Sequence, residues 1–585
     1  MSKHLPGFGA AVAVAAVLTL PFSVLAAHAS PVYHRAQASS GTITVGDTET
    51  PDTLNPTQAD FDIDSLIDNA IFEGLFSYNH HGHIFAQLAA RVPSVKNGGI
   101  RSGGKTWEID LRPGERWSNG AILTSADIKF SWQAAMSPVS GPWCLGTCDV
   151  IKQIQTPSKY RAVFQLRRVY SAALDYAING FPLIPRSWPG SWSSGNVRAA
   201  AAKLYLDQSF NYQSAKFPTN GPYQVASFGA QSVVLKPMKY FKSGAPLKTL
   251  RFRFYPSRDA MVSAAAKHKV AVTTNYNLSD TGYLRSHSSF KTNVSPNFQL
   301  EHLELNTDSR YNGTANPLHS ANVRQALALS VKKTQVVRKG LHVSKAAARH
   351  LEAWTPLVTV PAFHVKQPYV DTAINGQWDP IAKRYVQPGT GQALKDAHKL
   401  LSVTRWPKGF ALAAVTTAGD AYRERELIAV SSSWAALGVH LSITPVTPGQ
   451  LFTHTWSDQG LLDHGKFQVA DFSYFGKPDP DQFKFNLVST YCDRRQKSHS
   501  VINGNDSCIH DRLIDTAFAK AAGTLNTSKR AYWYDRMQVE LNKMAYWIPL
   551  YYGVGVYTVD GKPRNVSSNP TQVGLTWNIY DWKVS

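Results

Sequence analysis

The stretch Thr106-Trp-Glu-Ile-Asp-Leu-Arg-Pro-Gly-Glu-Arg-Trp-Ser-Asn-Gly-Ala-Ile-Leu-Thr-Ser-Ala-Asp-Ile-Lys-Phe-Ser-Trp132 carries three structural signals in succession. Thr106 to Leu111 alternates polar and apolar residues with period two, as a half-buried strand does. Arg112-Pro-Gly-Glu115 is a turn, because Pro presets one backbone angle and Gly supplies the conformations other residues avoid. Thr124-Ser-Ala-Asp127 opens a helix as a capping box, with Asp where Glu is usual, and Ile128, Phe130 and Trp132 begin its apolar face.

Working outward, Thr42 to Val45 reads as a strand, Pro51 to Pro56 as a turn, and Ser65 to Leu75 as a helix. Arg161 to Leu166 is a strand. Residues 186–219, rich in Ser, Trp, Gly and Ala, are where the chain changes domains, and Gly221 to Phe228 with Val233 to Lys236 forms paired strands. Val323 to Val337 is an amphipathic helix, Arg349 to Gly389 is irregular, and Ala393 to Leu401 is helical. Strands at Phe410 to Val415 and His440 to Pro445 flank a helix at Tyr422 to Leu437, the alternation of α/β layers. A helix at Thr527 to Lys543 precedes an apolar strand at Trp547 to Tyr552.

The 585 residues, 17% charged and 43% hydrophobic, exclude disorder and fit about three to four folding units. Lys and Arg number 61 against 40 Asp and Glu, a net +21, but the excess is dispersed and forms no nucleic-acid arm. Scarcity of carboxylates also fits an acidic habitat, in which stability would not fall below neutral pH. Lys3 and His4 precede the apolar run Ala10 to Leu20, and Ala27 and Ala29 form an A-x-A site before Ser30. Residues 1–29 therefore read as a signal peptide, with an uncleaved anchor as the alternative, and the mature chain is placed outside the cytoplasm. In that compartment the 4 cysteines read as disulfides, with 144 to 148 and 492 to 508 the simplest of the possible pairings.

The ordered blocks resemble the extracytoplasmic solute-binding proteins of the oligopeptide and dipeptide ABC-transporter family. These blocks are Thr53-Leu-Asn-Pro56, Ile71-Phe-Glu-Gly-Leu75, the Trp107 to Asp127 stretch, Thr219-Asn-Gly-Pro-Tyr223, Val323-Arg-Gln-Ala-Leu327, Pro478-Asp-Pro-Asp-Gln-Phe483 and Ile548-Pro-Leu-Tyr551. The resemblance implies an α/β, three-lobe periplasmic-binding-protein clamshell, type II-like with an extra lobe. Lobe Ia takes 41–75, 196–298 and 546–585, lobe Ib is inserted at 76–195, and lobe II spans 299–545. It further implies a monomer that captures a peptide or similar solute and delivers it to a membrane permease driven by an ATPase. Oligosaccharides and nickel or other cation chelates are the other ligand classes; a secreted hydrolase and a sensor-type receptor are the other functions.

The resemblance places the first-lobe cleft segment at Ala59, Asp60, Phe61 and Asp62, whose acids either meet a cationic ligand or cap the following helix. Across the cleft it places Ser473, Tyr474, Phe475 and Gly476, and on the third-lobe helix Trp434, which reads either as a cleft tryptophan or as part of the core. Where many peptide binders carry an Asp for the ligand's ammonium, this chain has Gly476 beside Lys477. Either Asp471 or Asp60 takes over that anchor, or the ligand has no free amine. His80-His-Gly-His83 reads as a surface turn, and Arg324 as a structural partner. There is no H-E-x-x-H, no G-x-S-x-G and no P-loop, since Pro563 follows Gly561-Lys562. No catalytic residue, metal or cofactor is assigned.

Overall fold

A computed structural model describes residues 41–584 except 52, 58–61, 141–143, 145, 187–195, 207–216, 277, 288–289, 361–364, 453–459, 493–503 and 572. The leader read at 1–29 and the cleft residues Ala59, Asp60 and Phe61 lie outside the described residues.

The architecture is a mixed α/β clamshell built on one ten-stranded sheet. In chain order its strands are β1 (Thr42–Asp47), β2 (Tyr223–Gly229), β3 (Ser232–Pro237), β4 (Thr249–Phe254), β5 (Val272–Tyr276), β6 (Lys291–Leu305), β7 (Ala411–Thr417), β8 (His440–Val446), β9 (Val469–Phe475) and β10 (Trp547–Val559). Their spatial order is β8-β7-β9-β6-β10-β5-β1-β4-β3-β2. β6 and β10, of 15 and 13 residues, form an antiparallel ribbon. At one end β10 pairs β5, and at the other β6 pairs β9. The ribbon is thus shared by both halves. Its register slips between Pro296 and Leu300 and again between Glu301 and His302, so the ladder is broken where the halves meet.

The halves and the insertion each bury their own core. Ile43, Phe252 and Trp582 lie in one, Trp107, Trp117 and Phe164 in the second, and Leu327, Trp434 and Leu550 in the third. The second belongs to a four-stranded antiparallel sheet that includes Thr106–Asp110 and Arg161–Leu166. The helix after it, Ser125–Ala135, begins with both halves of the capping box in place. The second Asp127 oxygen accepts from the Arg186 backbone N–H at 2.7 Å, tying this helix start to the chain 59 residues on. Both disulfides join the expected cysteines, with Cα separations of 4.8 Å for Cys144–Cys148 and 5.0 Å for Cys492–Cys508.

Two helices differ from their sequence reading, each because a tertiary bond outcompetes helix propagation. The first runs Asp62–Ile71 rather than to Leu75. The Ile71 carbonyl accepts from Gly221 N at 2.9 Å and Glu73 N donates to Asn220 at 3.1 Å. A Cβ on Gly221 would sit 2.6 Å from the Ile71 carbonyl carbon, so the Thr219 to Tyr223 turn needs glycine there. The helix expected at Val323 to Val337 splits into Ala321–Ser330 and Lys333–Leu341. At the break Lys332 N donates to Ser433 Oγ at 3.2 Å, and the Leu329 carbonyl accepts from Gly389 N at 2.8 Å. The last strand also runs past Tyr552 to Val559, forming the shared ribbon.

Asp127→Ala removes the cap and the Arg186 tie together. A loss of about 2 kcal/mol is expected in the urea unfolding transition of the inserted lobe, read from tryptophan fluorescence.

Candidate functional site

The site grows from strand ends. β1 runs parallel to β4 and β5, and β7 runs parallel to β8 and β9. Ligands of such sheets bind beyond the carboxyl ends of the strands. Here the carboxyl end of β1 presents Asp47, Thr48 and Glu49. Those of β7 and β9 present Thr417, Asp420 and Ser473, with the ribbon as floor.

Arg423, one turn into the helix Ala421–Trp434, organises the second-half wall. Its Nε donates to Glu301 Oε1 at 2.8 Å, Nη1 to Thr417 Oγ1 at 2.6 Å and Asp420 Oδ2 at 2.8 Å, and Nη2 to Ser473 Oγ at 2.7 Å. Ser473, directly opposite Glu301 in the ladder, donates to Glu301 Oε2 at 2.6 Å and accepts from Gln299 Nε2 at 2.7 Å. Tyr551 OH lies 3.5 Å from the same Glu301 oxygen. A cavity of about 30 Å³ opens beside Glu301, walled by Leu278, Leu341, Tyr422, Tyr551 and Tyr552. Behind it, carboxylate oxygens of Glu301, Glu426 and Asp471 all lie within 4.8 Å of one another. On the first-half wall, Asp47 Oδ1 accepts from Glu49 N at 2.8 Å and Asn275 Nδ2 at 3.2 Å.

The expected site residues divide. Asp471 and Ser473 belong to this cluster. Asp62 is exposed in the first turn of its helix. Tyr474 packs among His302, Phe472 and Trp547 and donates to Glu304 Oε2 at 3.3 Å, while Phe475 is 37% exposed. Gly476 is sealed: its N–H donates to Phe298 O at 2.5 Å, and a Cβ would meet that oxygen at 2.8 Å and two glutamine amides at 3.0 Å. No side chain fits that position. Of the two readings of Trp434, the structure takes the core one. It is fully buried in the third core, its indole N–H donating to the Leu327 carbonyl at 3.2 Å, so packing holds it away from the cleft.

Arg324 is structural as expected, donating to the carbonyls of Leu318, His319 and Met544. His80 to His83 forms a hairpin turn in which Asn79 Oδ1 accepts from the His81 and His83 amides at 2.9 and 3.0 Å. Glu301, Arg423, Glu426, Tyr422 and Tyr551 were not anticipated. For the three charged residues the one sequence signal was charge inside elements whose flanks are apolar, as in Leu300-Glu-His-Leu-Glu-Leu305 and Arg423-Glu-Arg-Glu-Leu427.

The Pro-Asp-Pro-Asp segment closes the other side of the cleft. The Asp479 carboxylate accepts from Arg530 Nη2 at 2.9 and 2.8 Å and from Asp481 N at 3.0 Å, and its carbonyl accepts from Tyr176 OH at 2.9 Å. Asp481 accepts from Tyr170 OH at 2.6 Å. Ser171 N donates to Ala522 O at 2.8 Å, and Lys484 Nζ donates to Gly146 O at 2.8 Å beside the first disulfide. Residues 144–176 of the insertion are thereby fastened to residues 479–530.

Several carboxyls hold protons more tightly than usual. Burial pushes Asp47 up to about 7 and Glu49 up to about 8, with neighbouring acids adding to the rise of Glu49. It also pushes Glu73 up to about 8, against the pull of Arg112. Burial raises both Glu426 and Asp471, with Asp471 and Glu301 adding to the rise of Glu426 and Glu301 and Asp420 to that of Asp471. A carboxyl raised in the folded chain stabilises fully below its unfolded value of 4.5, and that contribution is lost as pH rises through about 8. Lys333, pushed down to about 7 by burial, acts oppositely only above that pH. The melting temperature is therefore expected to be higher near pH 5 than near pH 7, and Glu73→Gln to flatten part of the slope. Melts followed by circular dichroism at both pH values check this.

Residues 87–493 match the family described as bacterial extracellular solute-binding proteins, family 5 Middle. The chain is 22% identical over 498 residues to the oligopeptide-binding protein OppA of Lactococcus lactis subsp. lactis, covering 78% of this chain and 76% of that protein. Local matches at 35% and 30% identity span only 14% and 15% of the curated relatives concerned. The oligopeptide-binding protein AppA from Bacillus subtilis, solved in complex with a nonapeptide, superposes with a TM-score of 0.71 at 15% identity, covering 94% of this chain and 99% of that one. NikZ from Campylobacter jejuni, in complex with Ni(L-His), gives a TM-score of 0.70 at 18% identity over 93% and 99%. These likenesses establish the fold.

Proposed function

Because the chain belongs to family 5 of the bacterial extracellular solute-binding proteins, we propose that it is the extracytoplasmic capture component of an ABC importer. It takes a peptide or similar small solute between its halves and passes it unchanged to a permease driven by an ATPase. The carrying observation is the broken ribbon: both halves share β6 and β10, and the ladder slips at Pro296 to Glu301, beside the acidic cleft. Two bodies joined by such strands can rotate about the slip while their cores stay intact.

In this reading 41–75, 196–298 and 546–585 form the first lobe, 76–195 the insertion and 299–545 the moving lobe. The chain is exported by the 1–29 leader, works as a monomer and performs no chemistry. Among the described residues no helix is long and apolar enough to cross a membrane. Asp471 and Ser473 face the solute from one side, and Ala59 to Asp62 from the other. The Tyr170 to Asp481 and Tyr176 to Asp479 bonds latch the insertion to the moving lobe in the closed form.

Mass spectrometry of molecules that co-purify with the natively exported protein is expected to recover small solutes, unaltered, at up to one per chain. A chemically processed product would replace capture with catalysis. Tyr170→Phe is expected to loosen the latch, raising the radius of gyration of the loaded protein in X-ray scattering and weakening solute affinity about three- to tenfold. Identical scattering with and without the recovered solute would remove the clamshell mechanism.

A further inference from the structure

Neither disulfide ties one core to another. Cys144–Cys148 bridges residues 4 apart and Cys492–Cys508 residues 16 apart, and closing so short a loop restrains the unfolded chain less than closing a long one. The effect of each bridge is local, and both act at one place. Gly146, inside the first bridge, lies against Tyr491, the residue before the second. A Cβ on Gly146 would collide with the Tyr491 hydroxyl and stand 3.4 Å from Lys484 Nζ, and the Gly146 carbonyl accepts from Lys484 Nζ at 2.8 Å. The bridges brace the two faces of the contact that fastens the insertion to residues 479–530.

The second bridge is the one a thiol reaches. Cys144 and Cys148 are 4% and 0% exposed, whereas Cys492 is half-buried. Attack at Cys492 Sγ expels the sulfur of Cys508, and His510 Nε2 stands 3.6 Å from that sulfur on an exposed ring. A charged imidazole beside a leaving thiolate eases its departure. Cys508 is also held at φ +53°, a left-handed backbone that a residue with a Cβ adopts at a cost, so the chain gains by leaving it once the bridge opens. The path from there to the contact is short. Cys508 N donates to Asn505 O at 2.8 Å, and Gly504 N and Asn505 N each donate to the Tyr491 carbonyl at 3.2 Å.

We propose that Cys492–Cys508 is a reducible switch on the interlobe contact. Oxidised, it holds Tyr491 against Gly146; reduced, the chain stays folded but the insertion and the moving lobe part more readily. This rests on the lobe assignment of the capture reading above. The reductant is a small dithiol. Its first thiolate attacks Cys492 Sγ, the S–S bond breaks, and Cys508 leaves as a thiolate that takes up a proton. The second thiolate of the reagent then displaces Cys492, which takes up the other proton. The reagent ends as a cyclic disulfide and the protein as two thiols.

The test is limited reduction of the full exported chain with dithiothreitol near neutral pH, then iodoacetamide and peptide mass spectrometry, with hydrogen exchange followed on the same samples. Cys492 and Cys508 are expected to be alkylated at least about tenfold faster than Cys144 and Cys148. The Ser171 N–H donates to Ala522 O across the contact at 2.8 Å. Its exchange is expected to quicken about tenfold on reduction and to recover on reoxidation, while the strand Thr106–Asp110, in the insertion's own core, keeps its protection. The double variant Cys492→Ser with Cys508→Ser is expected to reproduce the fast Ser171 exchange without reductant, and His510→Ala to slow reduction about threefold with the bridge intact.

Alkylation of all four cysteines at one rate, or of the first pair sooner, overturns the switch. Unchanged Ser171 exchange in the reduced protein overturns its coupling to the contact. Loss of protection in both segments together makes the bridge a staple of the fold and overturns the switch as well. A Ser171 N–H already unprotected in the oxidised protein overturns the latch and the switch with it. Capture is judged apart from all of these, by the molecules that co-purify with the exported protein.

Discussion

Everything in this fold hangs on one antiparallel ribbon. β6 and β10 are the strands that both halves require to complete their sheets, so the halves cannot separate without breaking ladder bonds in a core. The register slips between Pro296 and Leu300 and between Glu301 and His302 leave part of that ladder unpaired. A continuous ladder would transmit twist rigidly across the sheet, whereas a bulged one concentrates bending at the bulge. The bulge also aims side chains. Glu301 sits at its edge, so one member of the buried acidic cluster belongs to the strand that carries the slip.

The cleft and the latch use charge in opposite ways. At the latch, Asp479 and Asp481 are satisfied by Arg530, Tyr170 and Tyr534, and these bonds stabilise one arrangement of the lobes. At the cleft, Asp471 has no donor among the described residues and Arg423 is shared among several acceptors. A satisfied buried pair stabilises whatever geometry makes it. An unsatisfied buried carboxylate leaves free energy to be gained when something arrives.

Sequence patterning revealed most of the frame. Period-two alternation located Thr106 to Leu111 and Arg161 to Leu166, and the capping box at Thr124 to Asp127 formed with both reciprocal bonds. These signals are local, and local backbone bonding fixes them. The helix ends were less legible, because Gly221, Asn220 and Ser433 arrive from remote segments to take bonds that would have extended the helices. Trp434 shows the same limit for side chains: an aromatic on an amphipathic helix reads the same whether it faces a cleft or a core. The acidic triad was the least legible part. Glu301, Glu426 and Asp471 are 125 residues apart at the widest gap between chain neighbours, and only the convergence of three elements makes their charges one problem.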